Sequence, residues 1–443
     1  METDAAKPPL RIALAGLGTV GAGVIRLLGE NRALVEARAG RPIEVVAVSA
    51  RDRGRDRGID LSSYRWDDDM ARLAAGEDVD LVVELVGGSD GPALALARDA
   101  LGRGKGLVTA NKAMIAHHGM ELARLAESTG APLRFEAAVA GGIPVVKGLR
   151  EGAAANDVQR VYGILNGTCN YILTTMEQRG ADFAETLAEA QRLGFAEADP
   201  AFDIDGVDAA HKLAILAALA FGAEVDFPAV EIEGIRRVRA VDIAQADALG
   251  YVIRLIGVGD VEADEGGAGA RRLLQRVRPC LVAKDHPLAP ITGATNAVVV
   301  EGNFSGRLLF QGAGAGDGPT ASAVVADLID LARGDRGAAF SVPAHSLAAL
   351  PKADSGARES RSYIRFMVAD RPGVLAEIAA AMRDAGVSIQ SLHQGGEAKG
   401  GAGVLVAMVT HPGPVRCVRE AVALLEGSDS LVEEPLVMPI LRS

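Results

Sequence analysis

A short apolar run, Leu10–Ala15 (LRIALA), feeds into Gly16-Leu17-Gly18-Thr19-Val20-Gly21 and then into the apolar stretch VGAGVIRLL. This order of strand, glycine turn and helix constrains the fold more than any other part of the chain. Gly16 permits the sharp turn, Gly18 lets the main chain approach a pyrophosphate, and Gly21 lets the helix pack close to the strand. The unpaired N–H groups of the helix start suit the phosphates, so Leu17, Thr19 and Val20 join the glycines as expected cofactor contacts. Two more buried runs, Ile43–Val48 (IEVVAV) and Val79–Val86 (VDLVVELV), supply strands for a doubly wound α/β sheet. The N-terminal third therefore reads as a Rossmann-type dinucleotide domain.

The end of the second strand bears on which dinucleotide. An NAD site carries an acid there for the ribose diol. This chain has Ser49 and Arg51 at that place, followed by Asp52 and Arg53. Arg51 favours a 2′-phosphate and hence NADP, while Asp52 keeps NAD open. A solvated loop charge is the other reading of Arg51.

Composition narrows the class. The chain has 443 residues, 49% apolar against 23% charged, enough for about two or three domains with real cores. Net charge is −12 without a long basic run, which argues against nucleic acid and anionic membranes as partners. Met1–Pro9 is polar, unlike a signal peptide, and the apolar stretch around Leu213–Phe221 is too short to span a bilayer. Cys169, Cys280 and Cys417 are scattered, so neither a disulfide framework nor a zinc knuckle is indicated. These features describe a cytoplasmic enzyme.

Further along, Val86 is followed by Gly87-Gly88-Ser89, and Leu107-Val108-Thr109-Ala110 by Asn111-Lys112. A lysine just beyond a strand carboxyl end points toward the ligand crevice of such a sheet; an exposed helix-start residue is the alternative. The strand Leu133–Ala137 leads into Val139-Ala140-Gly141-Gly142-Ile143-Pro144, which closes the nucleotide domain and exposes main-chain carbonyls.

In the middle, Val158–Leu165 reads as a strand ending in Asn166-Gly167-Thr168 before a helix from Cys169. Thr168 either caps that helix or presents its hydroxyl and amide to a substrate carboxylate. The segment FAEADPAFDIDGVDAAHKLAIL then crowds Glu197, Asp199, Asp203, Asp205 and Asp208 at the entrance to an apolar helix. Asp208 and Lys212 are spaced i,i+4 and so share a face, at a core boundary where a proton can be handled. A solvated acidic helix start is the competing reading. An EF-hand loop is excluded, because Lys212 falls where a bidentate glutamate is required. Strand-like runs at Leu249–Gly257, Leu273–Leu281 and Asn296–Glu301 indicate an open sheet. The glycine-rich turn at 312–318, with Gly314 and Gly316, reads as a second nest of N–H groups at a helix start.

Residues 343–360 read as a linker. The tail, 361–443, has strand, helix, strand, strand, helix, strand order, the ferredoxin-like βαββαβ unit.

GLGTVG, TANK, FEAAVAGGIP, ILNGTCNYIL, FAEADP with its D-x-x-x-K, and GAGAGDGPTASAVVAD follow one another at characteristic spacing. In these the chain resembles homoserine dehydrogenases over roughly residues 10–345, and the tail with DRPGVLAEIA resembles an ACT domain. The resemblance implies a monofunctional NAD(P)H-dependent oxidoreductase that reduces L-aspartate 4-semialdehyde to L-homoserine, at the branch toward threonine, methionine and isoleucine. It casts Lys212 as proton donor and Asp208 as its acidic partner. Glu197, Asp203, Thr168 and Lys112 become substrate residues, with Lys112 shared with the cofactor beside Gly87, Gly314 and Gly316. It also implies a sodium-like cation held by Glu136 and by main-chain oxygens of Val139, Gly141 and Ile143. A threonine-like effector at the ACT domain and a homodimer or homotetramer follow from the same likeness. The expected domains are 1–145 for the nucleotide (completed by 305–342), 146–304 for substrate binding and dimerisation, and 361–443 for regulation.

Overall fold

The computed structural model describes residues 7–263, 271–395 and 403–442; residues 1–6 of the polar N-terminal stretch lie outside them. The first sheet has six strands, β1 (Leu10–Ala15), β2 (Ile43–Ser49), β3 (Arg65–Trp66), β4 (Leu81–Glu84), β5 (Gly106–Thr109) and β6 (Leu133–Arg134). They lie in the order β3-β2-β1-β4-β5-β6, and every neighbouring pair is parallel. β1 is central and covered on both faces, which is why it is apolar apart from Arg11, whose half-exposed side chain pairs with Asp80. The chain winds one way from β1 to β3 and the other way from β4 to β6. A crevice therefore opens at the carboxyl ends of β1 and β4, the binding place in this Rossmann fold.

β4 ends at Glu84, earlier than the apolar run to Val86 suggests. The buried Glu84 carboxylate accepts N–H groups from Val86 (2.7 Å) and Gly87 (3.0 Å), and the Thr109 hydroxyl at 2.6 Å. These bonds turn the chain out of the strand and tie the end of β4 to the end of β5.

The second sheet contains β7 (Val158–Ile164), β8 (Glu231–Ile232), β9 (Tyr251–Ala263), β10 (Arg271–Ala283), β11 (Thr295–Gly302) and β12 (Gly306–Ala313). Their order is β12-β11-β7-β9-β10-β8, antiparallel throughout except for β10 with β8. The apolar helix Val207–Phe221 lies on one face, where Leu213 and Ala217 share a core with Val161, Leu255 and Val277. β12 corrects one expected boundary. Residues 306–313 pair with β11 along their whole length, so they belong to this sheet and not to a return into the nucleotide domain. The chain returns only with the helix Asp317–Arg333, whose Val324 and Leu328 join the core around Leu14, Val24 and Leu28.

The segment 343–360 is stitched down. Ala348 exchanges main-chain hydrogen bonds with Gly222 and Glu224, and Leu273 with Pro351 and Ala353. It contributes β13 (Glu359–Ser360), paired with β17 (Gly413–Pro414). The C-terminal sheet contains β14 (Ser362–Val368), β15 (Ile389–Gly395), β16 (Val404–Thr410) and β18 (Leu436–Pro439), ordered β15-β16-β14-β18 and antiparallel. Its helices cover one face. The other face, with Tyr363, Ala407, Val409 and Met438, merges with the core that includes Ile243 and Ala246 of the helix Ala240–Ala248. Among the described residues no helix is long and apolar enough to cross a membrane.

Candidate active site

Lys112 meets Asp208 and Lys212, from a distant part of the chain, at the crevice. Asp208 Oδ1 lies 2.7 Å from Lys112 Nζ, and Asp208 Oδ2 lies 2.7 Å from Lys212 Nζ. Lys212 also donates to the Leu165 carbonyl at the end of β7 (2.7 Å). Lys112 reaches across because it does not cap its helix. Asn111 does so, its Oδ1 accepting the Met114 N–H and its Nδ2 bonding Gly88 O at 2.7 Å. The lysine is thereby free to leave the carboxyl edge of β5 for the second layer.

Burial sets the electrostatics. It would raise Asp208, but Lys212 and Lys112 outweigh it and hold the carboxylate well below its ordinary range. Burial pushes the Lys212 ammonium down, against the pull of Asp208 and with Lys112 adding to the push. Lys112, about a third exposed, moves the other way: Asp208, Asp203 and Glu197 together outweigh its burial. Of the two ammonium groups, Lys212 is the readier proton donor.

Around this array the structure sorts the other expected residues. Thr168 is not the cap of its helix; Asn166 takes that place, accepting the Cys169 N–H at 2.7 Å. The Thr168 hydroxyl bonds Phe195 O (2.9 Å) and Asp203 Oδ2 (3.1 Å). Asn166 was not singled out from sequence, yet its Nδ2 bridges Asp203 Oδ1 and Asp208 Oδ2, each at 2.8 Å. Asp203 thus joins the array. Asp199 folds onto the Ala201 N–H and Asp205 pairs with Arg236, so both shape the helix entrance. Glu197 is exposed, near enough for its charge to act on Lys112, and its carbonyl is fixed by Gln191. A cleft of about 520 Å³ runs past Gly87, Ser89, Asn111, Lys112, Phe202 and His211.

The glycine turn fits a nicotinamide dinucleotide. A Cβ on Gly21 would stand 2.1 Å from the Gly16 carbonyl, while one on Gly18 would meet no protein atom within 4 Å. Gly18 thus leaves room for a ligand in front of the helix Thr19–Glu30, whose start has no side-chain cap. Arg51 is exposed beyond β2. Sequence reading missed Arg57, which bonds the Leu17 carbonyl of the glycine turn at 2.8 Å. The Arg53 and Arg57 guanidinium carbons lie 5.7 and 5.8 Å from the Trp66 ring centre. Asp52 turns back onto the Gly54 N–H. Gly316 starts the helix Asp317–Arg333 beside the helix Thr19–Glu30, where Asp317 O would contact a Cβ on Gly23 at 3.0 Å. Gly314 instead backs onto Gly141, with Gly142 N donating to Ala313 O.

The expected cation loop requires a correction at Glu136. Its carboxylate oxygens accept the N–H groups of Val146 (3.0 Å) and Lys147 (2.8 Å), so the side chain caps the following helix. Ile143 O accepts the Val145 N–H. The loop is left with main-chain oxygens to offer.

Comparisons with known proteins identify the family. The "Homoserine dehydrogenase" family model matches residues 144–329, "Homoserine dehydrogenase, NAD binding domain" matches 16–136, and "ACT domain" matches 362–416. A curated homoserine dehydrogenase of Mycobacterium tuberculosis is 44% identical over 429 residues, covering 95% of each chain. The solved homoserine dehydrogenase of Thiobacillus denitrificans superposes with a TM-score of 0.90 at 39% identity, covering 98% of each chain. A hyperthermophilic archaeal homoserine dehydrogenase solved in complex with NADPH matches 73% of this chain and 97% of its own (TM-score 0.60, 28% identity). With a nicotinamide-dinucleotide domain, a central region that matches the homoserine dehydrogenase model and a C-terminal ACT domain, the chain belongs to the homoserine dehydrogenase family, oxidoreductases acting on the CH–OH group of homoserine.

Proposed function

We propose that this chain reduces L-aspartate 4-semialdehyde to L-homoserine with NADPH preferred over NADH, in the biosynthesis of threonine, methionine and isoleucine. The observation that carries the reading is Asp208 held between Lys112 and Lys212 at the crevice of the parallel sheet. The dihydronicotinamide, when bound, supplies the hydride. Lys212 gives its proton to the carbonyl oxygen as charge develops there, a contribution of about 10²–10⁴-fold. Asp208 orients Lys212, and Lys112 adds positive charge on the cofactor side. Glu197 suits the substrate ammonium, and the helix start at Thr168, with Asp203, frames the other end of the substrate.

Arg51 beyond β2, with Arg53 and Arg57 beside Trp66, favours a 2′-phosphate, and Asp52 is engaged in its own turn. A sodium-like cation would be held by main-chain oxygens of Glu136, Val139, Gly141 and Ile143. The ACT domain would take a threonine-like amino acid, and the working enzyme would be a cytoplasmic homodimer or homotetramer.

Steady-state oxidation of L-homoserine with NADP⁺ and NAD⁺, with and without threonine, tests the reading. Turnover is expected with both cofactors, faster at low NADP⁺. Lys212→Met should lose most of kcat while still binding cofactor; activity surviving in that variant overturns the assignment of the donor.

A further inference from the structure

We propose that His117 and His211 form a positioning clamp whose hydrogen bond holds the helix beginning at Lys112 in register with the helix carrying Asp208 and Lys212. The two Nε2 atoms are 3.2 Å apart, and the rings cross edge-on with centres 5.1 Å apart. Phe227 packs against both rings, at 4.8 Å from His117 and 4.3 Å from His211, and Phe202 backs His211 at 5.5 Å. The two helices, Lys112–Thr129 and Val207–Phe221, are thus joined twice: by Lys112 with Asp208, and by this imidazole pair. Neither histidine is used by the reaction as described above.

The hydrogen position follows from the partners. His211 is 3% exposed, and its Nδ1 has no partner among the described residues. Buried donors are left unpaired more rarely than buried acceptors, so His211 carries its hydrogen on Nε2 and donates to His117. His117 is exposed and accepts.

Burial first, then His117, Lys112 and Lys212, push His211 down to about 4 against the pull of Asp208, so His211 stays neutral and keeps its single hydrogen for His117. Without this bond the start of the Lys112 helix is free to shift, and small displacements of reacting groups cost catalysis steeply.

The inference rests on Lys112, Asp208 and Lys212 being the reacting groups. The test measures kcat and KM for L-homoserine at about pH 8 in the full chain, in His117→Ala and in His117→Gln, whose side-chain oxygen can accept the same hydrogen bond. His117→Ala should lower kcat/KM about tenfold with the melting temperature little changed, and His117→Gln should restore most of the loss. A His117→Ala variant as active as wild type, or a His117→Gln variant as impaired as His117→Ala, overturns the clamp. If Lys212→Met is inactive while either of these holds, the clamp alone fails. If Lys212→Met keeps turnover, the catalytic reading fails first.

Discussion

Lys112 Nζ lies 2.7 Å from Asp208 Oδ1, and this ion pair joins the carboxyl edge of the parallel sheet to the helix Val207–Phe221 on the second sheet. Because Lys212 holds the other carboxylate oxygen, Asp208 keeps two ammonium groups close together. Asp208→Asn removes the charge that lets both stay protonated. One lysine should then lose its proton at lower pH, so the basic limb of the rate profile moves toward acid. A fall in kcat/KM of about 10²–10⁴-fold is expected as well. Rate profiles of wild type and variant, each with saturating cofactor, check both effects; an unmoved basic limb would count against the shared carboxylate.

Gly18 and Gly21 should separate binding from folding. A methyl group at Gly21 would collide with the Gly16 carbonyl at 2.1 Å, whereas one at Gly18 meets open space. Gly21→Ala should therefore destabilise the protein even without cofactor. Gly18, at φ −77°, accepts alanine without backbone strain. Gly18→Ala should keep the wild-type melting temperature and weaken dinucleotide binding, because the added methyl occupies the space in front of the helix start. Calorimetric melting and cofactor titration distinguish the two.

These contrasts also mark what was legible in the sequence. The glycine fingerprint and the i,i+4 pair of Asp208 and Lys212 are local patterns, and local patterns specify local geometry. The second glycine-rich turn misled over domain return, because β12 pairs with β11 through a register that no short-range signal carries. Asn166 was hidden for a similar reason, since its partners Asp203 and Asp208 are 37 and 42 residues away. Thr168, a sound helix cap by type, yielded that position to Asn166 two residues earlier. Glu84 reads as an acid inside a buried strand, and only the fold shows that it captures the turn beyond β4. Arg57 was one basic residue among several in a loop, until Leu17 and Trp66 gave it neighbours.

Asp242 and Arg365 predict how firmly the ACT domain is seated. Both are buried, at 0% and 2% exposure, and they form an ion pair between the helix Ala240–Ala248 and β14. Asp242 also accepts the Tyr363 hydroxyl (3.0 Å) and the Arg239 N–H (2.9 Å). Asp242→Ala breaks this buried pair, leaving the Arg365 guanidinium with Glu433 as its remaining charge partner, and should cost about 3–5 kcal/mol of stability. Replacing both partners, Asp242→Leu with Arg365→Met, should cost less than the single change, because no charge is left unpaired. Chemical denaturation of the three proteins measures the order; a double variant less stable than Asp242→Ala would sink the argument.

Glu136 predicts a pH dependence with a definite sign. Burial first, then Asp327, push its carboxyl up to about 7, although the Val146 and Lys147 N–H groups and the Lys147 charge pull the other way. A carboxyl whose folded pKa exceeds its unfolded value near 4.5 favours the folded state at low pH. That contribution is complete below the unfolded value and is lost as pH rises through about 7. Glu136→Gln removes the titration while adding a fixed, pH-independent change from the altered cap. The stability of wild type relative to the variant should therefore fall by ~3 kcal/mol between pH 4.5 and 8. Denaturation of both proteins across that range gives the difference directly. A difference that stays constant with pH would mean that Glu136 is already ionised at the acid end, with its charge satisfied by the helix it caps.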